Sequence, residues 1–490
     1  MRPYRTLPHD PKPAYDVVVI GAGIGGLICA ALLARAGCRV LLVEQHYMVG
    51  GYCSTFRRGA YTFDAATHFY PLLGNPMTIT GAVLEQIGCR TRWVKMDPVD
   101  HFHFPDGSRF SVSADFDEYL DELKATFPHE AEAIDRFFVI VRDAYLYGLL
   151  YYSRGRRHDR LDSFINLSLQ EVLDREFRDP KLRLLLAADC AHWGSQPSRT
   201  SFAFDSMLRL SYFLGNYYPE GGSQAFADDL ARIVQEAGGD ILLRSTVQRI
   251  VVEHERAVAV EIATGLGTAR HVVRVGAGHV VSNADLTLTM ESLLGAAVIG
   301  DAAIAHVRSL RPTSPCFLVH LGLQGVPLSA LEPKTGYHWR SWHADDVMYD
   351  AFKIFVPTMY EPRMAPAGGQ IIILQRVMKI GYDRIADWVA HKRRVEDDLV
   401  TRLEAAIPGV SPHIVTRQSA SALTSWRFTL NREGAMLGWE MSPGQLGDRR
   451  PAVEGPVRGL SLCGHWTRPG GGITPVIVSA VDVARRITGE

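Results

Sequence analysis

Apolar residues near the start of the chain predict a strand, a helix and a second strand. Residues 15–20 are largely apolar, which is typical of a strand buried in a parallel sheet. Residues 25–36 are rich in alanine and leucine and predict a helix that stops at Gly37. Residues 39–43 predict the next strand, which ends at Glu44. This order predicts a βαβ unit of a parallel sheet.

The rest of the chain divides into strand-rich and mixed stretches. Residues 240–264 read as strands around a tight turn at 254–256, and residues 279–285 begin as another strand. The stretch 77–215 is largely helical by pattern, whereas 301–430 mixes strands with a long charged helix. The chain is therefore expected to be an α/β protein.

The simplest domain arrangement is a discontinuous Rossmann-type dinucleotide-binding domain with an inserted α+β substrate domain. The chain is long enough for two hydrophobic cores. We expect the dinucleotide-binding domain to comprise residues 1–76, 216–300 and 431–490, and the substrate domain to comprise residues 77–215 and 301–430.

A glycine motif connects the first strand to the first helix. Gly21, Gly23 and Gly26 form G-x-G-x-x-G at that junction. Gly21 allows the tight turn, Gly23 lets the backbone approach a pyrophosphate, and Gly26 lets the helix pack on the strand. The N-terminus of such a helix attracts phosphates. Glu44 follows at the distance at which a carboxylate binds ribose hydroxyls, so a dinucleotide is predicted.

A second glycine pair indicates FAD rather than NAD. Gly50 and Gly51 follow Glu44 closely and allow another close backbone approach, which suits a ligand that continues beyond the adenosine. A second strand–G-x-G-x-x-G–helix unit is absent from the sequence, because the GAG at 276–278 precedes a strand and lacks the third glycine. A separate NAD(P)H domain is therefore not expected.

A third glycine-rich segment lies near the C-terminus. Gly464 ends a short apolar strand, and residues 470–472 precede a helix for which Thr474 is the expected N-cap and Pro475 lies in the first turn. The N–H groups of this helix start can lie against the flavin pyrimidine edge. There they would stabilise the negative charge that develops when the flavin accepts hydride.

The three segments together resemble the family of phytoene desaturases, carotenoid cis–trans isomerases and retinol saturases, within the amine-oxidase superfamily. Pro219, Gly221 and Gly222 match the family's P-x-G-G segment, and the sequence VVSNAD is also characteristic. The resemblance implies a glutathione-reductase-like FAD-binding fold in which the backbone of Val247 holds the adenine. Desaturases of the family place an arginine after the glycine pair, whereas this chain has Tyr52, as in the isomerase and saturase branches.

Motifs and resemblance together predict one set of cofactor-binding residues. The residues expected to hold FAD are Gly21, Gly23, Gly25, Gly26, Glu44, Gln45, Gly50, Gly51, Val247, Gly464, Gly471, Gly472, Ile473 and Thr474. The resemblance places His68 beside the isoalloxazine ring, and it is the candidate catalytic residue. It could orient a substrate or a flavin carbonyl, or donate a proton; alternatively, it satisfies only the local backbone.

The apolar and tyrosine-rich segment 137–160 admits two interpretations. It ends in the basic residues Arg154, Arg156, Arg157 and Arg160, as an interfacial membrane helix would. A buried helix beside a long apolar tunnel has the same pattern, and we favour that interpretation. A peripheral membrane contact through this segment stays open.

Composition excludes several classes of protein. The net charge of −1 lacks the basic excess of a nucleic-acid-binding protein. The seven cysteines are scattered, so neither a disulfide framework nor a metal site is expected. The uncharged run 17–34 is explained by the strand, turn and helix described above rather than by a membrane span. A cytoplasmic protein, with membrane association left open, fits best, and the oligomeric state is not predicted.

The leading hypothesis is an FAD-dependent oxidoreductase or isomerase that acts on carbon–carbon bonds of a hydrophobic isoprenoid or polyene substrate. Desaturation, saturation and cis–trans isomerisation all remain open. One alternative is an amine-oxidase-like flavoenzyme. Another is a lipid carrier without catalysis, like the Rab GDP-dissociation inhibitors, although the intact glycines and Glu44 argue against it.

Overall fold

A computed structural model gives the fold of residues 3–8, 10–154, 158–265, 267–342, 347–381 and 384–489. The strands are β1 (Ala14–Ile20), β2 (Val40–Val43), β3 (Thr55–Arg58), β4 (Tyr61–Asp64), β5 (Trp93–Lys95), β6 (Asp100–His103), β7 (Arg109–Val112), β8 (Tyr217–Pro219), β9 (Asp240–Leu242), β10 (Thr246–Glu253), β11 (Arg256–Thr264), β12 (His271–Ser282), β13 (Cys316–Gln324), β14 (Gly336–His338), β15 (Phe352–Phe355), β16 (Gly369–Val377), β17 (Ile414–Ala420) and β18 (Leu460–Leu462).

The helices follow the same chain order. They are α1 (Ile24–Arg35), α2 (Ile79–Ile87), α3 (Phe116–Thr126), α4 (Ala131–Arg154), α5 (Asp159–Ile165), α6 (Leu169–Glu176), α7 (Pro180–Ala187), α8 (Cys190–Trp193), α9 (Phe202–Ser211), α10 (Ser223–Glu236), α11 (Leu286–Leu288), α12 (Ala296–Ile299), α13 (Asp301–Ser309), α14 (Leu328–Leu331), α15 (Val347–Asp350), α16 (Trp388–Ala406), α17 (Ala422–Thr429) and α18 (Ile473–Thr488).

The first sheet contains the predicted βαβ unit. Its order is β10-β11-β12-β1-β2-β9, and β18 pairs with the far end of β12. Strand β1 is parallel to both β2 and β12, while β10 and β11 add an antiparallel extension. The GAG at 276–278 lies inside β12, so the expectation that it precedes a strand is wrong.

Both faces of the first sheet are covered, which explains why β1 is apolar at almost every position. Val17 and Val19 lie in the core formed with α1, α10 and α18. Val18 and Ile20 lie in the core on the opposite face. The predicted α/β fold class is confirmed.

The second sheet combines residues from both insertions. Its order is β17-β13-β16-β15-β14-β6-β7. The expectation that 77–215 is largely helical is wrong for residues 93–112, which form β5, β6 and β7. The hairpin of β6 and β7 turns through Asp106 and Gly107, a pair that is a recognisable turn signal. Helices that follow in the first insertion share a core with this sheet.

Helix α4 contains most of the segment considered for membrane contact. Phe137 and Val141 are buried, whereas Val139 is exposed. Arg160 pairs with Asp143 at 2.8 Å. Arg156 and Arg157 lie outside the described residues, as does the side chain of Arg154. No helix in the part of the chain that the structure describes is long and apolar enough to cross a bilayer. The peripheral contact through 137–160 stays a prediction.

Candidate functional site

A cavity of about 620 Å³ lies where the two sheets meet, and its lining comes from both ends and the middle of the chain. Thirteen of the fourteen residues expected to hold FAD line this cavity, and His68 lines it too. Gly26 is the exception, because it lies behind the turn and packs α1 against β1. A Cβ on Gly26 would stand 2.0 Å from the carbonyl oxygen of Gly21.

The first glycine turn presents the start of α1 to the cavity. Gly21 has a φ of +92°, which other residues rarely adopt, and Gly23 is the N-cap of α1. The first turn of α1 carries no acidic side chain. Its N–H groups and its dipole are therefore available to an anion such as a pyrophosphate.

The second glycine pair closes on the first turn. Gly50 donates its N–H to the carbonyl oxygen of Ala22 at 2.8 Å. A Cβ on Gly51, which has a φ of +58°, would lie 3.3 Å from the Cα of Gly23. Only backbone atoms therefore form this side of the cavity. Side chains at these glycine positions would fill the space.

Asn283 connects these turns to the C-terminal segment, and sequence reasoning gave it no role. Its Nδ2 donates to the carbonyl oxygen of Gly21 at 3.4 Å. A Cβ on Gly25 or on Gly464 would lie 2.6 Å from its Oδ1. The amide therefore occupies the space that these two glycines leave. The motif VVSNAD was the available signal.

The C-terminal segment places a second helix start at the cavity. Gly472, with a φ of +99°, is the N-cap of α18, so the expectation that Thr474 caps this helix is wrong. The reason is that Thr474 Oγ1 donates instead to the carbonyl oxygen of Pro71 at 3.0 Å. Pro475 does lie in the first turn, as predicted. A Cβ on Gly471 would stand 2.0 Å from the carbonyl oxygen of Leu437.

Glu44 lies at the end of the cavity opposite the start of α18. Its Oε2 accepts the N–H of Ala22 at 2.7 Å, and its Oε1 accepts the N–H of His46 at 2.8 Å. Burial raises the pKa of Glu44, and these N–H donors oppose the rise. Each oxygen retains lone-pair capacity for a ribose hydroxyl. Gln45 donates to the carbonyl oxygen of Phe428 at 3.4 Å.

Val247 completes this end of the cavity from the first sheet. It lies on β10 opposite Ile262, and the pairing is irregular between Val247 and Arg249. Two helix starts, a glycine-only surface, a buried carboxylate and a strand backbone thus share one groove. These residues fit an extended dinucleotide, with α1 toward its phosphates and α18 toward its other end.

The remainder of the cavity is largely apolar. Large side chains converge there from several elements, namely Phe56, Phe69, Trp193, Phe204, Tyr212 and Leu318. Among the described residues that line the cavity, Glu44 is the one carboxylate, and it lies at the dinucleotide end. The apolar part is therefore suited to a hydrophobic substrate.

His68 lines the cavity, and its ring centroid lies 5.3 Å from that of Phe69. Its Nδ1 lies 3.0 Å from the carbonyl oxygen of Ala66, which holds the ring proton on Nδ1. Burial, together with the charge of Lys353, lowers the pKa of His68 to about 3. The ring is therefore neutral at pH 7, and its one N–H is already engaged. This geometry supports an orienting role over proton donation.

A buried charge network adjoins the cavity. Lys353 Nζ lies 2.7 Å from Asp100 Oδ2, and His192 Nε2 lies 3.2 Å from the same oxygen. Although burial acts to raise it, the charge of Lys353 and the contact with His192 hold the pKa of Asp100 well below its ordinary value. Sequence reasoning missed all three residues, because they are far apart in the chain and belong to no motif.

Tyr52 occupies the position at which desaturases of the resembling family carry arginine. Its hydroxyl donates to the carbonyl oxygen of Ala435 at 3.0 Å. The side chain thus ties the second glycine pair to the segment that follows α17. It supplies a neutral group at this position.

Comparison with known proteins identifies the family. The family model for flavin-containing amine oxidoreductases matches residues 24–488. Prolycopene isomerase 2 from an Oncidium hybrid cultivar is 27% identical, over 97% of this chain and 84% of the relative. The all-trans-retinol 13,14-reductase of Danio rerio is 31% identical, over 57% of this chain and 49% of the relative.

Solved structures show the same fold. Putrescine oxidase bound to putrescine superposes with a TM-score of 0.67 at 14% identity, covering 98% of this chain and all of the other. An oxidoreductase from Methanosarcina mazei gives a TM-score of 0.67 at 18% identity, covering 95% and 99%. The predicted cofactor and superfamily are confirmed. The chain belongs to the flavin-containing amine oxidoreductases and is an FAD-dependent oxidoreductase.

Proposed function

We propose that this enzyme acts on carbon–carbon bonds of a hydrophobic polyene substrate of the isoprenoid class. The observation that carries the proposal is the apolar part of the cavity, which adjoins the dinucleotide groove and presents aromatic side chains without a carboxylate among its described residues. Such a lining favours a neutral, extended hydrocarbon chain and leaves a cationic amine without a counter-charge.

Two further observations support a polyene over an amine. The relatives named above are a prolycopene isomerase and a retinol reductase. In addition, the Nζ of Lys353 lies 3.8 Å from the ring centroid of Phe69, whose side chain lines the cavity. Because Lys353 is paired with Asp100 at 2.7 Å, that carboxylate offers no free counter-charge to a substrate ammonium group. The likeness to the solved putrescine oxidase structure, at 14% identity, is a likeness of fold.

The protein residues provide binding, charge stabilisation and exclusion of water. FAD supplies two-electron chemistry when it is bound. The N–H groups of Ile473 and Thr474, at the start of α18, stabilise negative charge at the end of the groove that they face. His68 stays neutral and orients a bound group, while the aromatic lining excludes water from the reacting bond.

Isomerisation or saturation of a conjugated double bond is the direction that we propose. Both named relatives catalyse reactions other than desaturation. Tyr52 stands where desaturases of the resembling family carry arginine, and its hydroxyl is committed to Ala435. Both observations favour the isomerase and saturase branches.

Anaerobic photoreduction tests the proposal. The holoprotein is reduced with light under argon and mixed with a cis-configured polyene, a retinoid or a primary amine, and the flavin spectrum and the products are followed. Reoxidation by a polyene, or its conversion to another geometric isomer, is expected. Reduction of the oxidised flavin by amines, with polyenes inert, would contradict the proposal. A colourless preparation that does not take up FAD would contradict it as well.

A further inference from the structure

A second, much smaller cavity adjoins the apolar part of the main cavity described above. Its volume is about 10 Å³, which is close to the space that one water molecule needs. Phe69, His192 and Tyr212 line both cavities and therefore lie between them. Unlike the apolar part of the main cavity, the small cavity is also lined by charged side chains, namely Asp100, Asp189 and Arg209.

Two buried cations lie in this region, and each is paired with a carboxylate other than Asp189. Lys353 Nζ lies 2.7 Å from Asp100 Oδ2. Arg209 donates to both oxygens of Asp205, from Nε at 3.0 Å and from Nη2 at 3.1 Å. Asp189 is therefore a third carboxyl group beside two cations that are already paired.

Asp189 is buried and has no hydrogen-bond donor of its own. Its Oδ2 is 3.8 Å from Arg209 Nη1, and its Oδ1 is 3.8 Å from His192 Nε2, which is beyond hydrogen-bond distance. Among the residues that the structure describes, no other donor reaches this carboxyl group. A buried carboxylate without donors is costly, whereas a protonated carboxyl group is neutral and brings its own donor.

The charges around Asp189 agree with a protonated carboxyl group. Burial raises the pKa of Asp189 to about 7. The charges of Asp205 and Asp100 act in the same direction, and those of Arg209 and Lys353 oppose them. The group can therefore both hold and release a proton near neutral pH. The other titratable groups that face it are uncharged at pH 7, namely His192, Cys190 and the hydroxyls of Tyr119, Tyr212 and Tyr337.

Tyr212 connects the small cavity to the main one. Burial raises the pKa of Tyr212 well above its ordinary value, so the hydroxyl carries its proton at pH 7. Within the described part of the chain this hydroxyl makes no hydrogen bond to protein. A hydroxyl group can accept one proton while it donates another, so Tyr212 is suited to relay a proton from one cavity to the other.

Saturation of a carbon–carbon double bond needs an acid near the apolar part of the main cavity. One carbon gains a hydride from the reduced flavin and the other gains a proton, so one π bond breaks, two C–H bonds form and the flavin is oxidised. Glu44, the one carboxylate among the described residues of that cavity, lies at the dinucleotide end. His68 is neutral, and its N–H is engaged by the carbonyl oxygen of Ala66.

We propose that Asp189 stores a proton in the folded protein, and that one water molecule in the small cavity carries it to the hydroxyl of Tyr212, which donates its own proton to the substrate. This inference rests on the proposed function and specifies the proton source for saturation. Tyr212 is thus the catalytic acid, and Asp189 acts through it. The carboxylate that remains lies 3.8 Å from Arg209 Nη1 until solvent returns the proton.

Infrared spectroscopy tests the proton store without any substrate. The holoprotein with oxidised flavin is measured below and above pH 7 for the C=O stretch of a protonated carboxyl group. We expect a band that decreases as the pH rises through about 7 and that Asp189→Asn lacks. Asp482→Asn, which removes an exposed carboxylate from α18, is the control and should keep the band. Wild-type and Asp189→Asn spectra without this difference would overturn the store.

A crystal structure of the wild-type holoprotein tests the water link. We expect one ordered water molecule in the small cavity, within hydrogen-bond distance of the Asp189 carboxyl group. An empty small cavity would overturn this link.

Kinetics test the delivery of the proton. Holoprotein with reduced flavin is mixed under argon with all-trans-retinol as the probe, and the saturated product is measured. Tyr212→Phe should lower the rate at saturating probe about a hundredfold without weakening probe binding, because a general acid contributes about 10²- to 10⁴-fold. The wild-type rate should fall as the pH rises through about 7, since the store empties, and Asp189→Asn should lose this dependence.

Tyr337→Phe is the matched control for Tyr212→Phe. The Tyr337 hydroxyl is buried without a hydrogen-bond partner, as the relay hydroxyl is, but Tyr337 lines neither cavity. This variant should therefore saturate the probe at the wild-type rate.

The outcomes separate this inference from the proposed function. Saturation at the wild-type rate by Tyr212→Phe would overturn the delivery step and leave the proposed function standing. Conversion of polyenes to geometric isomers alone, without saturated product, would do the same. Polyenes that stay inert while amines reduce the flavin would overturn the proposed function and, with it, the delivery step.

Discussion

The side-chain amide of Asn283 donates to the carbonyl oxygen of Gly21 at 3.4 Å, and thereby joins the end of β12 to the first glycine turn. The same amide lies against the sites where Gly25 and Gly464 lack a side chain. Asn283 thus joins the first glycine turn and the start of α1 to Gly464 at the end of β18. It is a positioning residue for the FAD groove rather than a group that performs chemistry.

Replacement of Asn283 is predicted to weaken FAD binding. Asn283→Ala removes the bond to Gly21 and opens space between the glycine turns, so we expect FAD affinity to fall about tenfold. Flavin absorbance relative to protein absorbance, measured after gel filtration, gives the occupancy. Ser282→Ala is the control, since the Ser282 hydroxyl is paired instead with that of Thr289 at 2.8 Å. Equal flavin retention in both variants would contradict the role of Asn283.

Glu44→Ala is predicted to release most of the FAD. The carboxylate is the acceptor for the ribose hydroxyls, and hydrogen bonds to a charged group contribute about 1.5–3 kcal/mol. We therefore expect the dissociation constant of FAD to rise about ten- to a hundredfold. Glu236→Ala, which removes an exposed carboxylate from α10, should leave it unchanged. Full occupancy in the Glu44 variant would show that the ribose is held elsewhere.

Gly26→Ala is predicted to destabilise the fold and the cofactor site together. The new methyl group would stand 2.0 Å from the carbonyl oxygen of Gly21, so α1 must move away from β1. Overpacking of this kind costs about 1–3 kcal/mol or more. Thermal unfolding with and without added FAD measures both effects. Gly444→Ala is the matched control, because open space surrounds that position. A Gly26 variant with normal Tm and colour would contradict the packing described.

The three glycine segments could be predicted because their geometry is encoded locally. At Gly21 and Gly472 the backbone adopts a positive φ, and a motif of a few residues reports this requirement. The cap of α18 was assigned to Thr474 because its bond to Pro71, which is 403 residues away in the chain, leaves no local signal. The local sequence pattern therefore predicts the glycine segments of the groove more accurately than it predicts the contacts between distant residues there.

The residues around the apolar part of the cavity could not be predicted as completely as the glycine segments. Lys353 and Asp100 are 253 residues apart and meet only because β6 joins the second sheet next to β14. The sequence pattern predicts helix for the stretch that contains residues 93–112, because the strands within it are too short to show a period of their own. Buried charge pairs of this kind depend on tertiary packing and have no sequence period.

Replacing one partner of the Lys353–Asp100 pair is predicted to lower the free energy of unfolding far more than replacing both partners. Lys353→Met leaves Asp100 as a buried charge without its cation, which costs about 3–5 kcal/mol. Adding Asp100→Asn removes the stranded charge, so the double variant should be more stable than Lys353→Met alone. Urea unfolding of the flavin-loaded Lys353→Met, Asp100→Asn and double variants gives the three free energies. A double variant that loses the sum of the two single losses would contradict direct coupling.

Stability is predicted to fall with acidification, in part through His192. Its pKa in the folded protein is about 4, below the ordinary value near 6.5, so the unfolded chain binds the proton first as the pH falls. The contribution of neutral His192 to the free energy of unfolding is complete above pH 6.5 and decreases toward pH 4. It falls by about 1.5 kcal/mol between pH 6.5 and 5. His192→Asn should flatten the pH dependence of the unfolding free energy by that amount. An unchanged slope would show that the pKa of His192 is the same in the folded protein as in the unfolded chain.

A crystal structure of the oxidised holoprotein tests the central claim most directly, which is that one glycine-lined groove delivers its ligand to an apolar cavity. The account predicts density for FAD with adenine beside Val247, ribose at Glu44 and the isoalloxazine ring between the start of α18 and His68. Density for a nicotinamide dinucleotide in that groove, or a flavin ring separated from the cavity that Phe69 lines, would contradict it.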